Sequence, residues 1–363
     1  MRLFRPRNIV LALVLAGGLG LWLNRGAVAS HMMGRIYERA LGKDPFAEMP
    51  DGLSVALCGS GSPMPDPTRA GPCTAVLAGH RLFVIDIGDG ATRNMSLMNL
   101  PPAKVEAIFL THFHSDHIGG LGELMLQRWA GGSSQAPVPV YGGPGVDQVV
   151  NGFMTAYDQD HGYRIAHHGP VIVPPTGFGG IPHPFDVRKG QPDRVVFQDK
   201  DLKVTAFPVE HQPVEPAVGY RFDYKGRSLV ISGDTAPSSR LETASKGVDL
   251  LVHEGLSPRL VGIQHAAAVK NGAKTISAIT HDILSYHTFP EDAAAIAQRA
   301  GVRQLLFTHV IPPLPMRALE GPFLGRSRQI FHGPIQVGRD GDMISLPVGS
   351  TEIRHTNRLH TFK

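Results

Sequence analysis

The residue types best suited to metal binding are concentrated between Thr111 and Gly120. Three histidines and one aspartate fall within six positions there: His112, His114, Asp116 and His117. Imidazole nitrogens and carboxylate oxygens bind zinc in near-tetrahedral sites, at about 2.0–2.2 Å. Two histidines at i and i+2 can both turn inward where the chain bends between them. The Asp-His pair that follows can supply ligands to a second ion. The spacing therefore predicts a metal site for two ions.

The sequence around this motif predicts a strand before it and a helix after it. Residues 105–110 form a short stretch of strand-forming residues. Apolar side chains then recur at steps of three and four, which is typical of one helix face: Ile118, Leu121, Leu124, Met125 and Trp129. The motif thus lies on a turn between two rigid elements, which is a good position for a functional site.

Other candidate residues follow predicted strands elsewhere in the chain. His211 comes after a strand at 202–207, Asp234 after one at 227–231 and His309 after one at 304–307. Asp86 lies in a glycine-containing run after a further strand. A carboxylate there can accept the second N–H of a metal-bound histidine, and a solvated turn is the alternative.

Residues 1–30 predict a targeting segment. Basic residues precede an apolar run at 9–23, and an A-x-A sequence follows at 27–29. This order is typical of a secretory signal peptide, and an uncleaved membrane anchor is the alternative. We therefore expect a protein that is periplasmic or secreted, or anchored in the inner membrane and facing the periplasm. Residues 31–50 are interpreted as a connector, and 51–363 as the folded domain.

The composition is that of an ordinary globular chain with a large core: 42% of the 363 residues are apolar and 18% are charged. The formal net charge of +4 is mild, unlike the dense basic footprint of a dedicated nucleic-acid binder. Cys58 and Cys73 are the two cysteines of the sequence. An exported protein allows a disulfide between them, and two buried thiols are the alternative.

Residues 158–195 are rich in Gly and Pro and show the least regular pattern. Long loops of this kind are usually functional or disordered, so we interpret the segment as an insertion that faces the substrate. Its histidines, His161, His167 and His168, are interpreted as solvated rather than as ligands.

The run H-x-H-x-D-H at 112–117 resembles the signature of the metallo-β-lactamase superfamily at every ligand position. Further matching runs extend the resemblance over most of 51–310, in particular to the ribonuclease Z branch, which has arylsulfatase-like members. They are LCGSGS at 57–62, IDIGDG at 85–90, SGD at 232–234, HEG at 253–255 and YHT at 286–288. The resemblance implies an α/β (α+β) fold, a four-layer αββα sandwich of two mixed β-sheets flanked by helices.

The same resemblance implies a set of ligands for two zinc ions. One ion would be bound by His112, His114 and His211, the other by Asp116, His117 and His309, with Asp234 bridging both. Manganese and iron are alternatives, because His and Asp ligands accept several metals. The ions would activate a shared hydroxide as the nucleophile, and Asp86 would orient a ligand histidine.

The resemblance also implies catalytic residues beside the metals. His287 resembles the family histidine that stabilises or protonates the leaving oxygen, and Glu254 resembles the acid that orients it. Such a pair contributes about 10²–10⁴-fold. We count Asp116 with them as catalytic. A core or surface histidine is the alternative for His287.

We predict an exported binuclear zinc hydrolase of small phosphate or sulfate esters, similar to phosphodiesterases and arylsulfatases. The leader implies that the chain leaves the cytoplasm, where tRNA is processed. The loop at 63–72 lacks the Lys/Arg-Asn pattern of relatives that process tRNA. The segment at 158–195 lacks the strong basic cluster that several phosphate contacts need.

Several alternatives stay open. A tRNA 3′-processing endoribonuclease (ribonuclease Z) would use the N-terminus as an anchor. A β-lactamase or lactonase, and a non-enzymatic metal-binding module, are the others. The expected partners are a small ester substrate, with RNA as the alternative, the inner membrane through an uncleaved N-terminus, and a second copy of the chain in a homodimer.

Overall fold

The computed structural model describes residues 6–188 and 190–359. The chain forms two compact units, residues 1–47 and 48–363. The first unit contains helices α1 (Pro6–Leu23) and α2 (Arg25–Ala40). Large apolar side chains such as Leu15 and Trp22 are exposed there. Residues 1–5, with the first arginines of the leader, lie outside the described part, so the leader and its cleavage stay predictions.

Within residues 6–188 and 190–359, none of the helices combines the length and the apolar character that a bilayer crossing needs.

The second unit is built on two mixed β-sheets. The first has eight strands in the spatial order β15-β14-β1-β2-β3-β4-β5-β6. Their bounds are β1 (Gly52–Gly59), β2 (Cys73–Ala78), β3 (Arg81–Ile85), β4 (Val105–Phe109), β5 (Val138–Gly142), β6 (Gly180–Pro184), β14 (Asp342–Pro347) and β15 (Arg354–Asn357). Strands β3 to β6 run parallel, whereas β1 is antiparallel to both β2 and β14.

The second sheet has seven strands in the order β13-β12-β11-β10-β9-β8-β7. Their bounds are β7 (Arg194–Gln198), β8 (Leu202–Pro208), β9 (Val218–Tyr224), β10 (Arg227–Ile231), β11 (Leu250–Leu256), β12 (Gln304–Ile311) and β13 (Ile335–Val337). Strands β10 to β13 run parallel, and β7 to β10 run antiparallel.

The second unit also contains helices, several of which pack on the sheets. They are α3 (Ala91–Leu97), α4 (Ser115–Ile118), α5 (Leu121–Gly132), α6 (Val146–Ala156), α7 (Asp158–His168), α8 (Ser239–Ala244), α9 (Pro258–Lys270), α10 (Lys274–Asp282), α11 (Pro290–Ala300), α12 (Glu320–Leu324) and α13 (Ser327–Ile330). Helix α3 packs against β1, α6 against β5 and β6, and α11 against β11 and β12.

The main core lies between the two sheets. Alternate residues of β1, such as Leu53 and Val55, form one buried cluster with Val204 of β8 and Phe222 of β9. Each large apolar side chain buried in this way contributes about 1.5–3 kcal/mol. A second cluster packs the outer face of β10 to β13 against α8 and α11. The predicted four-layer sandwich of two mixed sheets is confirmed.

The interpretation of residues 158–195 as an irregular insertion is wrong in its secondary structure. Helix α7 and strand β6 occupy much of the segment, and β7 begins at its end. Helix α7 has no buried residue, so it carries no apolar stripe from which its sequence could predict a helix. Asp160 Oδ2 instead accepts a bond from Arg164 Nε at 2.7 Å, an i,i+4 pair of the kind that supports exposed helices.

Candidate metal centre and active site

The H-x-H-x-D-H motif lies where the sequence predicts it, between the end of β4 and the start of α4. The two first histidines are on the turn, and His117 is inside α4. The buried Tyr220 on β9 fixes the turn, because its hydroxyl donates to the Leu110 carbonyl at 2.6 Å. The motif thus follows a strand of the eight-stranded sheet and is held in place by a residue of the seven-stranded sheet.

The other predicted ligands lie at corresponding ends of the second sheet. His211 follows β8 and Asp234 follows β10. His309 occupies a β-bulge in β12, because the pairing with β11 skips from Thr308 to Val310. Its φ is +45°, a left-handed backbone that costs about 1–3 kcal/mol in a non-glycine residue. Bulges next to active sites re-aim a side chain, and this one brings the His309 imidazole to the ligands.

The predicted ligands form two groups. Within each group the ligand atoms all lie within 4.8 Å of one another: His112, His114, His211 and Asp234 in one, Asp116, His117 and His309 in the other. Asp234 Oδ2 lies 3.4 Å from His117 Nε2 and 3.2 Å from His309 Nε2. It is also 4.0 Å from His112 Nε2, so this carboxylate stands between the groups. We call these seven residues the ligand cluster.

Hydrogen bonds outside the cluster orient its imidazoles. Asp86 Oδ2 accepts from His117 Nδ1 at 2.8 Å. The Asp86 carboxylate also accepts from the Thr111 backbone N–H at 2.8 Å and from the Thr111 hydroxyl at 2.7 Å. His211 Nδ1 donates to the Tyr286 carbonyl at 3.0 Å. Each bond fixes one ring nitrogen and leaves Nε2 for the cluster, which is how metal-binding histidines are usually oriented.

The donor set fits divalent metal ions. His117 Nε2, His211 Nε2 and Asp234 Oδ1 are buried without a hydrogen-bond partner in the described structure. Such atoms destabilise a fold unless something binds them. Burial lowers the pKa of both His112 and His211, which favours the neutral imidazole that binds metal.

Asp234 is held in its charged form. Burial by itself would raise its pKa, but the nearby imidazoles of His309 and His117 outweigh burial and keep this pKa well below its usual range. A buried carboxylate that stays ionised among imidazoles is the donor that a pair of cations needs.

His287 and Glu254 form a buried pair beside the cluster. His287 Nδ1 donates to Glu254 Oε1 at 3.0 Å. The same oxygen accepts from the backbone N–H groups of Thr235, at 3.0 Å, and Thr288, at 3.1 Å. Burial opposes a charge on His287, but the Glu254 carboxylate outweighs it and raises the pKa of His287. The pair is thus an oriented acid, as in general acid–base sites.

A chamber of about 790 Å³ opens onto the site. His114, Asp116, Asp234, His287 and His309 lie at its floor. We name five of its other lining residues the chamber wall: Met64, Ile276, Ile279, Ile283 and Tyr286.

The sequence reasoning missed the chamber wall, because it placed no helix at 274–282. The apolar positions 276, 279 and 283 are spaced as on one helix face, and this spacing is the signal that could have predicted α10. The carbonyl of Tyr286 has no sequence signal at all, since every residue carries one.

The structure answers two questions that the sequence left open, the state of the two cysteines and the surroundings of the three histidines on α7. Cys58 and Cys73 form a disulfide between the end of β1 and the start of β2. His161, His167 and His168 lie on α7, and none of them is in a ligand group of the described residues. His161 instead stacks on Phe178, with ring centroids 4.4 Å apart.

A family model described as β-lactamase superfamily domain matches residues 83–310. The chain belongs to the metallo-β-lactamase superfamily. Together with relatives named ribonuclease Z, this shows a metal-dependent hydrolase that acts on ester bonds, as the sequence predicts. Metal binding is consistent with the ligand cluster of the structure.

Similar proteins point to one branch of this superfamily. Ribonuclease Z of Mycobacterium avium (strain 104) is 36% identical over 290 residues, which cover 79% of this chain and 96% of that protein. Ribonuclease Z of Mycobacterium sp. (strain KMS) is 34% identical, with 82% and 97% covered. The solved human tRNase Z, short form, has a TM-score of 0.57 at 20% identity, covering 81% of this chain and 100% of that one. A Bacillus subtilis metallo-β-lactamase fold protein has a TM-score of 0.57 at 18% identity, with 82% and 100% covered. These two structures show the shared fold.

The predicted main function, an exported hydrolase of small phosphate or sulfate esters, is wrong. Relatives at 34–36% identity over most of the chain are named ribonuclease Z, which favours the alternative. The prediction placed RNA second partly because the sequence contains no run of basic residues that could bind several phosphates. Cations that bind a substrate need not be neighbours in sequence, because folding can bring them to one surface.

Proposed function

We propose that this protein is an endoribonuclease of the ribonuclease Z type, which hydrolyses a phosphodiester at the 3′ end of tRNA precursors. The observation that carries the proposal is the His287–Glu254 pair, joined at 3.0 Å beside the ligand cluster. A module that only stored metal would not need an oriented acid there. Relatives named ribonuclease Z support the choice of RNA over other esters.

Two zinc ions are the metals we propose for the ligand cluster. His112, His114 and His211 would hold one, Asp116, His117 and His309 the other, with Asp234 shared. Bound there, two divalent ions would lower the pKa of water and offset negative charge on the scissile phosphate. Asp86 holds the His117 ring in place through its 2.8 Å bond.

The protein's own residues supply the leaving-group chemistry. Glu254 fixes the ring of His287 through Nδ1, so Nε2 is the nitrogen that faces the substrate. Thr235 and Thr288 hold the Glu254 carboxylate from the backbone, so the pair does not have to reorganise during the reaction. His287 would give its proton to the oxygen that leaves the phosphorus, a role for a histidine whose charged form is favoured.

The test is cleavage of a 3′-extended tRNA by the zinc-loaded full chain. We expect trimming at one position, metal content of two ions per chain, and little trimming by the His287→Asn variant. His167→Asn is the matched control, since that histidine is exposed on α7 and lies outside both ligand groups. An intact tRNA after incubation with protein that carries both ions would contradict the proposal.

The compartment is a separate proposal. The leader and the Cys58–Cys73 disulfide both support an oxidising compartment, whereas tRNA precursors lie in the cytoplasm. We propose that residues 1–30 direct the domain out of the cytoplasm. This proposal and a substrate of nascent tRNA exclude each other, so the location of the domain decides between them. Protease protection of cell fractions tests this: a domain shielded by the inner membrane would contradict export and favour tRNA.

A further inference from the structure

The chamber has an unusual chemical contrast for a site that acts on RNA. Its floor is the ligand cluster with His287, but its lining contains no lysine or arginine. Most of the remaining surface comes from Pro, Ala, Ile and Met side chains of the loop at 62–65 and of α9 and α10. Only the floor, with the ligand cluster and His287, offers positive charge to the scissile phosphate. A second phosphate held against the walls would lose its hydration without gaining a cation, so the group that lies against the walls is uncharged.

Amide side chains also reach the chamber. Gln264 and Asn271 both belong to its lining, and both are exposed. Asn271 donates to the Ala267 carbonyl at 2.9 Å and keeps its own amide oxygen as an acceptor. Amides match the donor and acceptor pattern at the edge of a nucleobase, whereas an alkyl chain would have no use for them.

Cations lie at the rim. Lys270 ends α9 and Lys274 begins α10, so the two lysines flank the turn whose residues Asn271 and Ala273 line the chamber. Both lysines are exposed. No ion pair of either lysine with an acidic residue is found among residues 6–188 and 190–359. Two exposed lysines beside an apolar opening can bind a phosphate that stays outside the chamber.

We propose that the chamber is a nucleotide subsite. It would take the unstacked base of a nucleotide next to the scissile phosphate, with the base against Ile276 and Ile279. Gln264 and Asn271 would meet the edge of the base, and Lys270 and Lys274 its flanking phosphate. Base stacking and apolar contact of this kind tolerate many sequences, since every base has a flat face. The inference rests on the proposed RNA substrate. It adds that the apolar wall binds one base of this substrate.

The test uses 3′-extended tRNAs that lack the base on one or the other side of the cleaved phosphate. For the zinc-loaded wild type, we expect loss of one of these bases to lower kcat/KM by about 10- to 100-fold. In the Ile276→Ala/Ile279→Ala variant, the intact tRNA should lose a similar factor, and the missing base should then make little difference. Both isoleucines are about half exposed, at 55% and 49%, so the variant is expected to fold.

Ile263→Ala is the matched control. Ile263 lies on α9 and is 63% exposed, but it does not line the chamber, so this variant should act as the wild type. Lys270→Ala/Lys274→Ala should raise KM and make the activity less sensitive to salt, because fewer phosphate contacts remain.

A binding measurement separates this inference from the proposed function. The His287→Asn variant, which should cleave slowly, is titrated against RNA with 2-aminopurine at the sensitive position, and fluorescence should rise as the base leaves its stack. Trimming that ignores both missing bases, or a fluorescence that does not change on binding, would overturn the subsite. An untrimmed tRNA would overturn the proposed function, while the fluorescence would still decide on the chamber.

Discussion

The floor and the wall of the active site are built in opposite ways. The ligand cluster comes from four strands, β4, β8, β10 and β12, and most of its side chains are buried. Several are fixed by hydrogen bonds to residues outside the cluster, such as Asp86 and the Tyr286 carbonyl. The chamber wall comes from α10, the residues just after it and the loop that carries Met64. Ile276 and Ile279 remain about half exposed.

The difference implies that the floor carries out the reaction, whereas the wall determines which substrate is bound. A metal site must hold its donors within a few tenths of an ångström, and strand ends anchored in a packed core provide that rigidity. Ile276 and Ile279, the exposed members of the wall, provide contact area without fixed directions, so they can change without disturbing the donors. Substitutions in the floor should therefore affect metal content and turnover, while substitutions in the wall should affect which substrate is used.

Asp234→Asn should have the largest effect. The carboxylate stands 3.2–3.4 Å from two imidazoles of the cluster, and an amide removes the negative charge that two cations would share. We expect fewer than two metal ions per chain and a fall in kcat/KM of roughly 10³-fold or more, since the ions stabilise the transition state by several kcal/mol. Elemental analysis beside kinetics measures both, and a fully metal-loaded, active variant would show that Asp234 bridges nothing.

His287→Asn should reduce turnover about 10²-fold or more, the range of an oriented acid, and leave metal content unchanged. This result sharpens the comparison, because Asp234, His287 and His309 also have ligand atoms within 4.8 Å of one another. Loss of one ion in this variant would make His287 a ligand rather than an acid. Glu254→Gln is the companion variant: it should lower kcat through the orientation of His287, with KM little changed.

The sequence was informative about the floor. His112 to His117 combine metal-binding residue types at a spacing that a single turn can use, and His211, Asp234 and His309 each follow a run of strand-forming residues. The resemblance to the metallo-β-lactamase superfamily, rather than these strand ends alone, implies that the three residues are ligands. It likewise implies the layered fold, with which the alternation of strands and helices is compatible.

The wall could not be predicted as readily. The apolar positions 276, 279 and 283 are spaced as on one helix face, but most of α10 faces solvent, so the spacing does not show what the helix lines. The bulge that re-aims His309 and the carbonyl that orients His211 depend on backbone geometry, which many sequences share. The basic residues at 270 and 274 have meaning only once α9 and α10 fold back on each other.

Asp86→Asn should have a smaller effect than either substitution in the floor. The amide cannot accept from His117 and Thr111 with the strength of a charged carboxylate. We expect metal affinity to fall about 10- to 100-fold, as for other residues that orient metal-binding histidines. Competition with a chromophoric chelator measures the affinity. Equal affinities in the variant and the wild type would mean that Asp86 supports the turn alone.

The smallest predicted effect concerns Asp340, which anchors the loop that carries Met64 of the wall. Asp340 accepts from the Ser60 backbone and hydroxyl, at 2.9 and 2.8 Å, and from the Ala70 backbone N–H at 2.7 Å. It therefore joins both ends of the loop at 60–70. Burial raises the pKa of Asp340 from 3.8 to about 6, although these bonds favour the charged form.

A raised carboxyl pKa has a defined sign for stability. Between pH 3.8 and about 6, the folded chain holds a proton on Asp340 that the unfolded chain has lost, so stability from this group falls as the pH rises. The fall should be about 1 kcal/mol between pH 5 and pH 7. It is measured as the free energy of unfolding of the wild type minus that of Asp340→Asn at each pH, which cancels the other titrating groups. A difference that stays constant from pH 5 to pH 7 would mean that the hydrogen bonds outweigh burial. The loop would then be held by a fully charged carboxylate, as the His117 ring of the floor is held by Asp86.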